Sequence, residues 1–496
     1  MIRALSVDRV RAAEEAAMAG LPEGELMERA AEGLADVAAA RLAERDGRTV
    51  VALVGAGNNG GDTLYAAGLL SDAGFACVAV LLASDGRSGS HEAGLAAAEE
   101  AGVSVVVAAD DPRAAAALVA EGDLVLDGIV GIGGRAGLRP DAARLVDAID
   151  DDAWVVAVDL ASGLDPAGEA ADDESVWADE TVTFATPKPA HLLPAGEGAT
   201  GRLTVVDIGL ETGDVPAAVE RLTWDDVRLL WPVPGPSDDK YSRGVLGVVA
   251  GGESYAGAAL LSVTAAVEAG AGMVRYVGTP TPAGLVRAAV PEAVHGAGRV
   301  QAWLVGPGLD VNAHDDGAAD QLAVARDAVA SDLPLVLDAG GLDLLDPASG
   351  PRSAPTLLTP HAGELARLLT RFEEADVTRQ EVEGDPLGHA RRLATRTGAT
   401  VLVKGSTTLV VDPDGDGPVR SQADAPAWLA TAGAGDVLAG LVGTLLASGL
   451  TPLDAGSLGA LVHGVTADRV SGGGPLRALA VAHGIRPTVR DLLARR

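Results

Sequence analysis

The sequence contains no uncharged apolar run approaching the length of a membrane-spanning helix, which argues against a helical membrane protein. Its opening, MIRALSVDRVRAAEEAAMAG, sets Asp8, Arg9, Arg11, Glu14 and Glu15 where an export signal needs an unbroken apolar stretch. Cysteine is almost absent. Cys77 alone, inside the apolar FACVAVLL, reads as a small buried hydrophobe and not as a redox group. A cytoplasmic chain with no membrane partner is the expectation. Positive charge is also short: the formal net charge is −33, which repels a phosphate backbone and excludes nucleic acid as a partner. The acidity reads as solubility, or as adaptation to a salty cytosol that screens self-repulsion. Lysine is the scarcest basic residue, since of 37 Lys and Arg only Lys188, Lys240 and Lys404 are lysines. Where arginine has replaced lysine almost everywhere, a retained lysine points to a site that needs a compact ammonium.

At 496 residues the chain exceeds one ordinary core, and two domains of about 200–270 residues are expected. Domains of that size bury roughly 70–75% of what their unfolded chains expose, so neither needs disulfides. The first half alternates short apolar strands (49–54, 75–82, 103–107, 124–129, 154–158, 180–184, 203–208) with Ala-rich helices at 62–73 and 91–101. That alternation predicts a mainly parallel sheet covered on both faces. A helical preamble comes first, with Ser6 placed to cap it. Pro, Gly and acidic residues gather over 211–239 and divide the chain into domains 1–222 and 223–496. The second half restarts the α/β alternation and is not an evident repeat of the first.

The first strand runs into VGAGNNGGDTLYAAGLL, in which Gly55, Gly57 and Gly60 satisfy G-x-G-x-x-G before a helix. Asp62 puts a carboxylate at the helix start where a pyrophosphate would otherwise sit, so the more specific feature is the unit Asn58, Asn59, Gly60, Gly61, Asp62. A structural turn with a capping aspartate is the plainer alternative. The strand DLVLDGIVGIGGRAGLRP delivers Asp127 at its C-terminal end, where open α/β sheets hold ligands, and leads into Gly131, Gly133, Gly134 and Gly137 with Arg135 among them. Such a loop suits a phosphate, or is simply a Gly-rich turn. A third strand, WVVAVDLASGLDPAG, ends in Asp159 with Ser162 three residues on, which suits a hard cation or a capped loop. TFATPKPAHLL holds Lys188 between two prolines.

These four motifs, in this order, resemble the NAD(P)H-hydrate epimerase domain over roughly residues 5–220. The resemblance implies a Rossmann-like three-layer αβα sandwich. It also implies contacts to the hydrated dinucleotide from Asn58–Asp62, from Gly131, Ile132, Gly133, Gly134, Arg135, Ala136 and Gly137, and from Asp159, with Asp127 catalytic. Asn59, Asp127 and Ser162 would hold a potassium ion. Thr63 and Ala161 stand where the family has glycine and proline, which affects loop rigidity more than ligands.

The strongest signal in the chain is LATAGAGDVLAGLVGTLLASG. Gly433, Ala434 and Gly435 put small residues at a helix start, so bare amides face outward as an anion hole with Asp436 on the first turn. That arrangement suits phosphoryl transfer, with amides stabilising equatorial oxygens and the carboxylate taking a hydroxyl proton. Upstream, VLVKGSTTLVV reads as a strand, a Lys404–Gly405 turn and a second strand, able to bind nucleotide or to be an ordinary hairpin. LLTPHAGELARLL places His361 at a strand end beside Glu364, and LVLDAGGL ends a strand with Asp338. Together with AGGESYAGAALL and VGPGL these motifs resemble the ribokinase-like ADP-dependent NAD(P)H-hydrate dehydratase over 224–496. By that resemblance the domain is a ribokinase-like αβα unit. Ala258, Gly308, His361 and Asp436 would meet the substrate, with Asp436 catalytic, and Lys404, Gly405, Ser406, Thr407, Thr408 and Gly435 would meet ADP or ATP, with magnesium on the phosphates. Asp310, Gly340–Gly341 and the 421–427 loop depart from the family pattern.

The expectation is therefore a two-domain repair enzyme for hydrated NADH and NADPH, acting on small molecules and forming a homo-oligomer. Two other readings stay open. The second half shares its anion hole with vitamin-precursor kinases, and the first half could be a non-catalytic dinucleotide module.

Overall fold

The computed structural model describes all residues except 84, 171–173, 314–315, 374, 416 and 495–496. It divides into two compact units, Arg3–Val219 and Glu220–Arg496, with Met1–Ile2 counted in the second.

In the first unit seven strands lie in the order Ser104–Val107, Ala76–Leu81, Thr49–Val54, Leu124–Gly128, Trp154–Val158, Glu180–Phe184, Arg202–Val206. Every pairing is parallel, and the central strands are buried apart from Trp154 at the start of its strand, which is half-buried. Continuous Val, Leu and Ala runs explain this, because strands covered on both faces need no polar side. The chain moves outward from Thr49–Val54 on one side and resumes with Leu124–Gly128 on the other. The reversal opens a crevice beyond the C-terminal ends of these two neighbours, where an open α/β sheet binds its ligand. Both glycine-rich loops begin there.

Two local expectations are corrected. Ser6 stands at the N-cap of helix Val7–Met18, but its side chain makes no capping hydrogen bond. The helix after the first strand starts at Asn58, earlier than expected, so Asp62 lies in its second turn and caps nothing. Asn58 and Asn59 can open a helix because Gly57 ahead of them is extended and leaves the first amides bare. Cys77 is buried as expected, and burial pushes its thiol up to about 11, away from thiolate chemistry.

The second unit orders its strands as Val419–Gln422, Thr408–Val411, Thr400–Val403, Thr356–Leu358, Leu335–Leu337, Ala302–Val305, Val245–Val249, Met273–Val277 and Val294–His295. The pairings are parallel from Thr400–Val403 onward to Val294–His295 and antiparallel at the hairpin end. Another reversal separates Val245–Val249 from Ala302–Val305. Helices Ala256–Glu268 and Ala434–Ala447 pack so closely that a Cβ on Gly440 would stand 2.1 Å from the Ser262 carbonyl oxygen. Gly440→Ala is expected to cost about 1–3 kcal/mol, as overpacking does in a rigid core. A thermal midpoint equal to that of the parent would contradict this contact. Among the described residues no helix is long and apolar enough to cross a membrane.

Candidate functional site

At the first crevice, Asp127 is fully buried at the end of its strand. Its carboxylate accepts the Ser162 hydroxyl at 2.6 Å, the Ser162 amide at 2.7 Å and the Ile129 amide at 3.3 Å. Burial raises this carboxyl to about 6 against the pull of those donors. Ser162 Oγ in turn accepts the Val130 amide at 2.9 Å and lies 3.2 Å from the Val130 carbonyl oxygen. The two glycine-rich loops meet beside this group: a Cβ on Gly131 would be 3.0 Å from Asn59 Oδ1, and one on Gly55 would be 1.8 Å from the Ile129 carbonyl oxygen. At Gly55 only glycine lets the two backbones approach so closely. Asn59 Nδ2 is buried without a hydrogen-bond partner among the described residues. Gly133 and Arg135 are exposed, and the loop closes through Gly134 N–H to Gly131 O at 2.9 Å and Gly137 N–H to Gly163 O at 2.9 Å. Ile132 and Ala136 are half-buried between them.

Asp159 does not join Ser162 as a cation ligand, as the strand-end pattern suggested. It is held in a left-handed backbone conformation, φ 64°, and its carboxylate is taken by the Lys188 ammonium and by the Thr183 hydroxyl at 3.0 Å. Lys188 also reaches Thr183 Oγ1 at 2.9 Å and is buried. Burial raises the Asp159 carboxyl, but the adjoining ammonium outweighs it and the carboxyl sits below its ordinary range. His191 beside them is driven down to about 3 by burial and then by Lys188, so it is neutral. A cavity of about 770 Å³ lies next to this pair, lined by Asn58, Asp62, Tyr65, Phe184 and, from the preamble, Glu14 and Met27. Sequence reasoning missed Glu14. Nothing in the periodicity of helix Val7–Met18 separates it from its neighbour Glu15. Arg11 of the same helix reaches the glycine loop, 4.0 Å from where a Gly133 Cβ would be.

At the second crevice, Gly308 (φ 62°) and Ala258 come together, a Cβ on Gly308 falling 2.7 Å from that of Ala258. Ala258 lies in the first turn of helix Ala256–Glu268, whose Ser262 hydroxyl donates to the Asp436 carbonyl at 3.0 Å. That bond brings the two helix starts side by side. Helix Ala434–Ala447 is entered through Gly433 at φ 91°, with no side-chain cap. The amides of Gly435 and Asp436 have no acceptor among the described residues. Lys404 faces them, its ammonium 3.4 Å from where a Gly435 Cβ would be, 2.8 Å from Asp338 Oδ1 and 3.7 Å from Glu364 Oε2. Burial lowers Lys404, but Asp338 and Glu364 more than restore it, so it is charged. Asp436 is half-buried, and burial, then Asp338, raise its carboxyl to about 7 against Lys404.

Gly405 and Ser406 are exposed at the tip of the hairpin, with Thr407 buried and Thr408 beginning the return strand. His361 lies in register with Lys404 across an isolated parallel bridge. Its Nδ1 accepts the amides of Gly363 at 3.1 Å and Glu364 at 3.2 Å, so the ring caps a helix, while its side chain remains 57% exposed. Asp310 caps its own loop by accepting the Asn312 amide. Gly340 and Gly341 are each placed where a Cβ would be 2.2 Å from a carbonyl oxygen, of Leu309 and Val305 respectively. Lys188 and Lys404 thus share one arrangement, each neutralising a strand-end aspartate, while Lys240 is exposed over Tyr241.

Residues 246–475 match the family described as NAD(P)H-hydrate dehydratase, and residues 23–190 the family described as YjeF-related protein N-terminus. The chain is 46% identical over 459 residues to the bifunctional NAD(P)H-hydrate repair enzyme Nnr of Mycobacterium tuberculosis strain H37Rv, covering 90% of this chain and 89% of that one. Identity to the Escherichia coli K12 enzyme of the same name is 32%, covering 92% and 87%. Among solved structures, the ADP/ATP-dependent NAD(P)H-hydrate dehydratase from Bacillus subtilis co-crystallised with ATP and Mg2+ aligns at 24% identity and TM-score 0.47, covering 56% of this chain and 99% of its own. On identity of this extent along nearly the whole length, the chain belongs to the family of bifunctional NAD(P)H-hydrate repair enzymes.

Proposed function

We propose that this chain restores hydrated NADH and NADPH, its first unit interconverting the R and S hydrates and its second dehydrating the S form at the expense of ADP or ATP. The observation that carries this reading is the helix start at Gly433–Asp436, where bare amides, the Lys404 ammonium and a half-buried carboxyl converge. A nucleotide phosphoryl group on those amides would meet the C6 hydroxyl of the hydrated ring, with Asp436 taking the hydroxyl proton. Loss of the resulting phosphate together with a ring proton leaves the reduced nicotinamide. Lys404, Gly405, Ser406, Thr407, Thr408 and Gly435 are assigned to the nucleotide, and Ala258, Gly308, His361 and Asp436 to the substrate. Magnesium, when bound with the nucleotide, supplies charge neutralisation on the phosphates.

In the first unit the substrate is assigned to Asn58–Asp62, Gly131–Gly137 and Asp159, and a potassium ion to Asn59, Asp127 and Ser162. The donor set fits a hard cation: a carboxylate, a hydroxyl and a buried amide whose oxygen and nitrogen exchange by a half-turn. Such a cation would hold Asp127 ionised despite its burial. Potassium is therefore expected to raise the thermal midpoint of the parent protein and not that of Asp127→Asn. Equal midpoints in potassium and choline for the parent would remove the assignment. A homo-oligomer in the cytoplasm completes the proposal.

The test is purified protein with hydrated NADH, ADP and magnesium, watched for return of reduced-nicotinamide absorbance and for free phosphate. A stable phosphate ester without recovered absorbance would make the second unit a small-molecule kinase.

A further inference from the structure

We infer that Glu14, on the helix that precedes the first strand, is an acid–base residue of epimerisation, acting with Asp62 in the cavity that both line. The inference rests on the proposed first-unit reaction and assigns a residue to it. The cavity, about 770 Å³, lies within the range of ligand pockets and is walled by apolar side chains such as Met18, Met27 and Phe184. Four carboxyl-bearing residues and His91 line it; Glu23 and Glu28 are exposed, whereas Glu14 and Asp62, from distant parts of the chain, are half-buried. Among the described residues neither the Glu14 nor the Asp62 carboxyl has a hydrogen-bond partner, although both are half-buried. Neither carboxyl is sealed from water, so both remain open to whatever fills the cavity.

Burial and the surrounding charges raise both carboxyls. Glu14 is raised by burial, only partly offset by Lys188, with Asp159 adding to the rise. Asp62 is raised well above its ordinary range by burial, then by Asp159 and Glu14. Asp159 itself is a poor base, because the Lys188 ammonium and the Thr183 hydroxyl occupy its carboxylate and hold it below the ordinary range. The pair Glu14–Asp62 therefore offers one acid and one base in the same space.

The chemistry of a hydrated dihydropyridine needs both. The protonated carboxyl gives its proton to the C6 hydroxyl, the C6–O bond breaks and water leaves. The N1 lone pair closes a C6=N1 bond, and the ring becomes cationic. Water then adds to C6 from the other face, the C=N electrons return to N1, and the carboxylate takes the proton that water loses. One proton is lent and one recovered, with no redox change. The remaining negative charge in the cavity stabilises the cation.

The experiment uses the full-length protein with mixed R and S hydrates of NADH, ADP and magnesium. Absorbance should return in two phases, the S form directly and the R form only as fast as it is converted. Glu14→Gln is expected to slow the second phase about 10²-fold or more in kcat with KM little changed, leaving the first phase intact. Glu14→Asp should recover part of the rate, and Glu15→Gln, altering the exposed neighbour, should match the parent. A second phase unchanged in Glu14→Gln and Glu14→Asp overturns the inference. So does an equal loss in Glu15→Gln, or a loss confined to KM. Absence of both phases in the parent would instead overturn the proposed function.

Discussion

Asp436→Asn is expected to abolish repair of the S hydrate, with a loss of about 10²–10⁴-fold in kcat, while nucleotide affinity stays within a few-fold of the parent. The separation follows from what each group is made of. The anion hole is backbone, formed by Gly435 and Asp436 amides that the substitution leaves in place, and Lys404 stays anchored on Asp338. Only proton acceptance is lost. The parent should also show an acidic limb. Burial, then Asp338, set the Asp436 carboxyl at about 7, and only its ionised form can accept a proton. The rate should therefore be level above about pH 7 and fall about tenfold per unit below it. The residual rate of Asp436→Asn should lack that limb. Normal turnover in this variant, with nucleotide binding intact, would show that the carboxyl takes no proton.

Lys188→Met should destabilise the first unit by about 3–5 kcal/mol, the usual consequence of stranding one member of a buried ion pair. The ammonium is nearly sealed from solvent and holds Asp159, Thr183 Oγ1 and the Phe184 carbonyl oxygen at once. Methionine replaces its length and none of those bonds. The sign with pH follows from Asp159. In the parent its carboxyl is depressed, so its contribution is present above the unfolded value near 3.8 and is lost as pH falls through the lower folded value. Without the ammonium, burial leaves Asp159 raised. The deficit of the variant is then largest at neutral pH and shrinks on acidification toward pH 4. Urea melts at pH 7 and pH 4.5 would read this, and Lys188→Met with Asp159→Asn should recover part of the loss. A deficit independent of pH, with no recovery in the double variant, would mean that packing and not charge sets the cost.

Strand and helix positions were legible because the physics is local. Runs such as TVVALV and WVVAV have one outcome when both faces are covered, and both of these strands have the bounds that their patterns predict. The helix start at Ala434 was legible for a similar reason, since Gly-Ala-Gly before a long apolar helix leaves amides exposed and little else. Asp62 was misplaced because a carboxylate near a glycine turn suggests a cap. The bare Gly57 entry moved the helix start four residues earlier and turned Asp62 toward a cavity. The partners of Asp159 were not readable: Ser162 is near in sequence, but the strand-to-strand step brings Thr183 and Lys188 nearer in space.

Composition and local pattern determined, by themselves, an acidic α/β chain with glycine turns at strand ends and a bare helix start. Three-dimensional packing alone decided which groups share a site, because the reversal of strand order joins loops some seventy residues apart. It also decided how each carboxyl titrates. Charge state depends on burial and on neighbours brought from elsewhere in the chain, and no window of sequence contains them.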